Sequence, residues 1–260
     1  MSITEDAPAP PAARRSPLLR PGRARRASPW WWLVLGSAVL LAVAAIAMGV
    51  WWIASHETVN RPYRVFGAVS TIELDVGTAD VEITGGAAAA VEVDRTAEFA
   101  FGRPPEQTRA LEGDVLTLSS RCPDTVIGTC HAVYRITVGD NVQVNVRTSS
   151  GSVRIDELNG SARIETDSGA IAVDGFCGFQ LIATSESGNV SGTAGCSPDR
   201  MELRSSSGDV RATVPAGRYR VDANSDSGAA QVRNLVPTED SPFAVQAISG
   251  SGDVTVDGRG

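Results

Sequence analysis

Val144–Asp156 reads VNVRTSSGSVRID, and the chain returns to this pattern again and again. It recurs at Ala162–Asp174 (ARIETDSGAIAVD), Leu181–Thr193 (LIATSESGNVSGT), Met201–Thr213 (MELRSSSGDVRAT), Val221–Arg233 (VDANSDSGAAQVR) and Val245–Asp257 (VQAISGSGDVTVD). Aligned on Gly151, Gly169, Gly188, Gly208, Gly228 and Gly252, every copy places serine just before the glycine. Apolar residues stand five and seven positions before it (Val146 and Val144 in the first copy), and again two and four after it (Val153 and Ile155). Alternation with period two marks a strand with one buried face, whereas a helix needs apolar residues three and four apart.

The turn glycines recur at roughly 20-residue intervals, in the range of solenoid repeats. One such unit has too little apolar surface to fold alone. Stacking the units pairs each strand with its counterpart in the next coil and joins their apolar faces into one core. The reading is therefore all-β, a single-stacked β-solenoid. Glycine suits the corner because it takes φ > 0 without steric cost, and the serine hydroxyl can bond nearby backbone. Three before each glycine lies a hydroxyl: Thr148, Thr166, Ser185, Ser205, Ser225 or Ser249. Parity turns these inward, where they would satisfy one another and the turn backbone. A lattice-binding hydroxyl face is the alternative, and inward placement hides it.

Working toward the N-terminus, Ile72–Thr84 (IELDVGTADVEIT) fits the same template as a degenerate first coil, with Ala79 in the glycine slot. Val91–Arg95, Leu116–Leu118 and Tyr134–Val138 read as strands, and Phe101–Leu111, with Pro104 and Pro105, as a loop. Toward the C-terminus, the last coil ends at Gly260. It is expected to present an open edge that either pairs with another molecule or is blunted by Asp253, Asp257 and Arg259.

Trp30–Ala54 carries no charge and is long enough to span ~30 Å of hydrocarbon as a helix. Trp30, Trp31 and Trp32 bracket one end and Trp51 and Trp52 the other, as interfacial belts do. A cleaved signal peptide would have a shorter apolar run and a small residue where Trp52 stands. The expectation is an uncleaved anchor in the lipid bilayer. The preceding residues 1–29 read as a disordered Arg/Pro-rich tail. In it Arg14, Arg15, Arg20, Arg23, Arg25 and Arg26 act as topogenic charges that keep the N-terminus cytoplasmic. Residues 55–62 read as a linker, and 63–260 as the extracytoplasmic solenoid.

All 23 basic residues are arginine. Six arginines and two acids precede the apolar run, whereas 17 arginines and 28 acids follow it, leaving the distal domain at net −11. That balance argues against nucleic acid as a partner. Cys177 and Cys196 each fall eight past a turn glycine, in the same slot of consecutive coils. Strands ~4.8 Å apart bring such a pair within the Cα separation of about 4.4–6.8 Å that a disulfide tolerates. Cys177–Cys196 is therefore expected to be bonded, and by elimination Cys122–Cys130. A zinc site from Cys122, Cys130 and His131 would have no standard spacing. Asp209 and Asp253 follow their turn glycines irregularly and read as solvated turn residues rather than calcium ligands. No nucleophile elbow, phosphate loop or zinc-protease motif is present, so neither an enzyme nor a cofactor is expected. A carbohydrate-active enzyme on a β-helix would need acids or bases clustered on one face.

The pieces VRTSSGSVRI, LRSSSGDVRA and ISGSGDVTV, behind one N-terminal anchor, resemble the bacterial putative-adhesin family, domain-of-unknown-function 4097, over about Arg61–Gly260. The resemblance implies a β-strand repeat solenoid on an envelope protein, with no established catalytic residues to carry over. The four cysteines and the Pro-rich stretch Phe101–Leu111 depart from that pattern. The expected role is a surface adhesin binding a glycan, a cell-wall polymer or another surface. The alternative is an envelope-stress or assembly accessory acting through a membrane-protein partner.

Overall fold

A computed structural model describes residues 29–100, 104–123 and 130–260. The tail read over 1–29, with Arg14, Arg15, Arg20, Arg23, Arg25 and Arg26, lies outside the described residues except for Pro29. The chain divides into two units, Met1–Val50 and Trp51–Gly260.

Helix α1 runs Pro29–Ala54. Proline opens it because the first helical N–H has no partner to lose. Trp30–Ala54 has a mean hydropathy of 2.5 and is long and apolar enough to cross a membrane. Trp30, Trp31, Trp32, Trp51 and Trp52 all stand exposed at its two ends.

The solenoid strands are β1 (His56–Val65), β2 (Thr71–Asp75), β3 (Asp80–Gly85), β4 (Val91–Ala100), β5 (Glu106–Glu112), β6 (Val115–Arg121) and β7 (Cys130–Val138). The first four repeats supply β8 (Gln143–Thr148) and β9 (Val153–Asp156), β10 (Ala162–Thr166) and β11 (Ile171–Phe176), β12 (Gln180–Ser185) and β13 (Val190–Ala194), and β14 (Arg200–Ser205) and β15 (Val210–Pro215). After these come β16 (Arg218–Ser225) and β17 (Ala230–Arg233), the short β18 (Val236–Pro237), and β19 (Ala244–Ser249) and β20 (Val254–Arg259). Each repeat gives one strand to each of two sheets, with the Ser-Gly turn between them. Sheet 1 has the order β1-β4-β7-β3-β9-β11-β13-β15-β20-β17, and sheet 2 the order β18-β16-β19-β14-β12-β10-β8-β2-β6-β5.

The register carries the sequence alignment into space. Val144, Ala162, Leu181, Met201, Val245 and Val221 sit side by side across sheet 2. Val153, Ile171, Val190, Val210, Val254 and Ala230 do so across sheet 1. These rows face each other and form one continuous core, which thins out at Val221 and the exposed Ala230. Ile72, Leu74, Val81 and Ile83 extend it, so Ile72–Thr84 is a true coil.

The stacking order departs from the chain order at both ends. The sixth repeat, β19/β20, inserts between the fourth, β14/β15, and the fifth, β16/β17. The last coil is therefore not an edge, and Asp253, Asp257 and Arg259 blunt nothing. The inserted coil brings Val245, Val254 and Val256, all buried; the displaced one brings Ala223 and Ala230 and is the poorer core former. At the other end β2/β3 lies between β8/β9 and the later coil β6/β7. Antiparallel strands then finish the stack, β4 on β7 and β1 on β4 in sheet 1, and β5 on β6 in sheet 2.

Two segments expected to be irregular are strands. Residues 56–62 of the expected linker belong to β1, whose backbone completes the ladder on β4. Glu106–Leu111, within the expected loop, forms most of β5. Pro104 and Pro105 stop short of it, so no ladder N–H is lost.

Candidate functional site

Along the turn edge, four of the six inward hydroxyls make the same two bonds. The Ser185 Oγ donates to the Gly169 carbonyl at 3.1 Å and accepts from the Gly188 N–H at 2.8 Å. Ser205, Ser249 and Ser225 repeat this one coil further on, each bonding the turn glycine beside it in space. Thr148 donates to Gly77 and accepts from Gly151, and Thr166 accepts from Gly169. These hydroxyls satisfy backbone, so they offer no lattice-binding face.

The six turn glycines are needed for a reason other than the one expected. None has positive φ; that conformation belongs to Gly67, Gly77, Gly113 and Gly175. Instead, the carbonyl of the adjacent turn lies where a Cβ would go: Ala79 against Gly151, Gly151 against Gly169, Gly169 against Gly188, Gly188 against Gly208, Gly208 against Gly252 and Gly252 against Gly228. Asp209 and Asp253 are likewise engaged. Asp209 Oδ1 accepts from the Asp253 N–H, and Asp253 Oδ1 from the Ala229 N–H, both at 2.9 Å.

Cys177 and Cys196 are bonded across adjacent coils with Cα atoms 4.8 Å apart, and Cys122 and Cys130 with Cα atoms 5.9 Å apart. With both thiols oxidised, the Cys122–Cys130–His131 zinc set is removed. His131 faces Asp80 instead, Nε2 to Oδ2 at 3.2 Å. Among the described residues no three His, Cys, Asp or Glu side chains gather to hold a metal.

The polar chemistry collects on the outer face of sheet 2. Parallel register sets outward side chains in two rows across eight strands. One reads Thr117, Glu73, Asn145, Arg163, Ile182, Glu202, Gln246, Asp222; the other Ser119, Asp75, Arg147, Glu165, Thr184, Arg204, Ile248, Asn224. Successive members stand ~4.8 Å apart. Where β6, β2, β8 and β10 meet, the rows line a trough of about 460 Å³. Sequence reading missed this face because its residue types vary from coil to coil. Only the register shows which of them are neighbours.

Arginine clamps organise the face. Glu165 accepts from Arg147 at 3.1 Å and from Arg163 at 2.8 Å. The Arg147 hydrogen bond, helped by Arg163, holds the Glu165 carboxyl below its ordinary range despite partial burial. Glu202 is more enclosed, and that burial opposes ionisation. Hydrogen bonds from Arg200 at 2.7 Å and Arg204 at 2.6 Å outweigh it and hold this carboxyl low as well. Among the described residues the Glu73 and Asp75 carboxylates have no side-chain partner, so the trough offers free acceptors beside two arginines. A larger depression of about 610 Å³ lies along β1 and β4, where Arg64 pairs with Glu92 and Arg135 with Glu82, while Asp94 Oδ1 is buried without a partner.

Residues 133–257 match the family model described as Toastrack DUF4097. No curated protein matches the chain. Among solved structures it is similar to a putative cell adhesion protein from Clostridium sporogenes ATCC 15579, with a TM-score of 0.47, 10% identity, and coverage of 78% of this chain and 100% of that one. It is also similar to a putative adhesin from Parabacteroides distasonis ATCC 8503, with a TM-score of 0.28, 14% identity, and coverage of 77% and 97%. A putative adhesin from Parabacteroides merdae ATCC 43184 gives 0.29, 13%, and coverage of 77% and 96%. The similarity to the Toastrack DUF4097 family thus rests on residues 133–257, which hold all six Ser-Gly turns of the repeat.

Proposed function

We propose that the chain is a non-enzymatic surface module, held in the membrane by α1 with its N-terminus cytoplasmic, that binds an extended cell-wall polymer along the outer face of sheet 2. The observation that carries this is the pair of polar rows, rigidly spaced over eight strands and opening into the trough at Glu73, Asp75, Arg147 and Arg163. Free carboxylates beside arginines suit a polymer bearing both amines and carboxylates, as glycopeptide does. Solenoids present long faces of this kind to extended partners. No reaction is assigned. The arginines that flank Glu165 and Glu202 keep them ionised, the wrong state for a general acid at neutral pH.

The test is cosedimentation of the detergent-solubilised full chain with purified cell-wall sacculi at low and moderate salt. Saturable binding that survives moderate salt supports the reading. A Glu73→Ala/Asp75→Ala variant, altered only at outward positions, is expected to bind about tenfold more weakly, since one charged hydrogen bond is worth that much or more. No binding at either salt overturns it and turns attention to a membrane-protein partner, for which the full chain is the bait.

A further inference from the structure

The two ends of the stack are built differently. At the β1/β5 end, side chains close the gap between the sheets. Arg95 is buried, donates to the Pro105 carbonyl at 3.1 Å and lies 5.8 Å from the Tyr134 ring centre. Arg109 sits 4.7 Å over the Tyr63 ring, and Gln107 donates to the Tyr63 hydroxyl at 3.2 Å. The edge strand β1 also carries Arg61, Pro62 and Arg64, a charged, proline-bearing edge of the kind that resists further pairing.

At the β16/β17 end Tyr219 is buried against Phe243, with its hydroxyl 2.9 Å from that of Ser197, but among the described residues no such plug lies between Val221–Ser225 and Ala230–Arg233. Val221 and Ala223 continue the inward rows of sheet 2, and Ala230 and Val232 those of sheet 1, and there the rows stop. β17 is exposed along its whole length, with Val232 at 41% and Val236, on β18, at 59%. β18 covers β16 only at Arg218 and Tyr219. The outer edges of Val221–Ser225 and Ala230–Arg233 therefore keep unpaired backbone N–H and C=O groups around an apolar strip. Terminal repeats of solenoids are normally capped with polar groups.

We propose that this open end stacks on the same end of a second copy of the chain. The occupant is argued from complementarity. A two-fold axis along the strands lays β16 of one copy antiparallel on β17 of the other, twice over. With Ala223 opposite Val232, Asp222 faces Arg233 of the second copy and Asn224 faces its Gln231, while Val221 and Ala223 extend the apolar rows. The other two-fold arrangement, β16 on β16, brings the two Asp222 carboxylates together when it is centred on that residue. Isologous closure also explains why one end is left open and the other plugged: the contact uses the same patch twice and then stops. One coil end is a small interface, so the pair is weak in solution and gains strength only when many copies act together. The chain enters the solenoid at β1, the opposite edge of sheet 1 from β17. The contact is independent of the polymer reading; clustering of membranes that carry the chain rests in addition on α1 being the anchor.

The experiment is sedimentation velocity of the full chain in detergent, from micromolar to near-millimolar protein, alongside turbidity of lipid vesicles carrying it. A monomer–dimer equilibrium and vesicle clustering are expected. Val232→Arg, at an already exposed position, should abolish both while the melting curve stays unchanged. Arg233→Asp should weaken dimerisation about tenfold or more, and Asp222→Arg/Arg233→Asp should restore it. A monomer at every concentration, or dimers and clusters indifferent to both Val232→Arg and Arg233→Asp, as contacts through α1 would be, overturns the proposal.

Discussion

Adding one methyl group at Gly188 would drive it into the Gly169 carbonyl oxygen of the neighbouring coil. Gly188→Ala is therefore expected to lower stability by about 2–4 kcal/mol, because backbone must shift to accept it. Gly86→Ala, where an added Cβ meets nothing within 4 Å, is the control and should change little. Denaturant midpoints of the two variants check both. Ser185→Ala leaves a buried glycine N–H and a buried carbonyl short of a partner, and about 1–3 kcal/mol should be lost in the same measurement. The Ser-Gly pair was legible in the sequence as a corner, and the residue three before it as an inward hydroxyl. The reason for the glycine was not legible. Positive φ is a local property that sequence can suggest, whereas contact with a carbonyl about 20 residues away depends on how the coils stack.

Individual strands were readable in proportion to how unequal their two faces are. β8 to β15 alternate cleanly because one face is core. β5 is exposed at nearly every position and β1 at most, so neither leaves an alternating trace, although both belong to the ladder. The outer face of β14 carries a pH-dependent contribution. Glu202 has its pKa lowered in the folded chain by the arginine clamp. Its stabilisation is thus complete above the unfolded glutamate value of about 4.3 and is lost as pH falls from there through the lower folded value. Thermal melts from neutral to acid pH should show wild type more stable than Glu202→Gln at neutrality, with the gap closing in that window. The Cys177–Cys196 bond ties the segment after β11 to the segment after β13 across a separation of 19 residues. Cys177→Ser/Cys196→Ser is expected to lose about 2–4 kcal/mol, read from melts under non-reducing conditions.

At the scale of the chain, the six repeats announced a stack but not its order. All six share one apolar pattern, so a fifth coil on the fourth and a sixth on the fourth look alike in sequence. The choice turns on differences as small as Val254 against Ala230. The trough was hidden for the same reason, since its walls join β2 to β8, strands that β3 to β7 separate in the chain. A chain stopped after Pro242 keeps β16 to β18 but lacks β19 and β20, and so removes the layer that bridges the fourth and fifth repeats. Limited proteolysis should show β16 to β18 digested readily in this truncation and protected in the full chain. The insertion of β19/β20 also sets a timetable for synthesis. The ribosome releases β16/β17 before the coil that separates it from β14/β15 exists. Coils two to four can settle as they emerge, but the fifth must either wait or occupy the wrong berth and give it up. β19 and β20 are thus the keystone of the finished stack, and a chain ended before them carries its own mark of incompleteness for quality control to recognise.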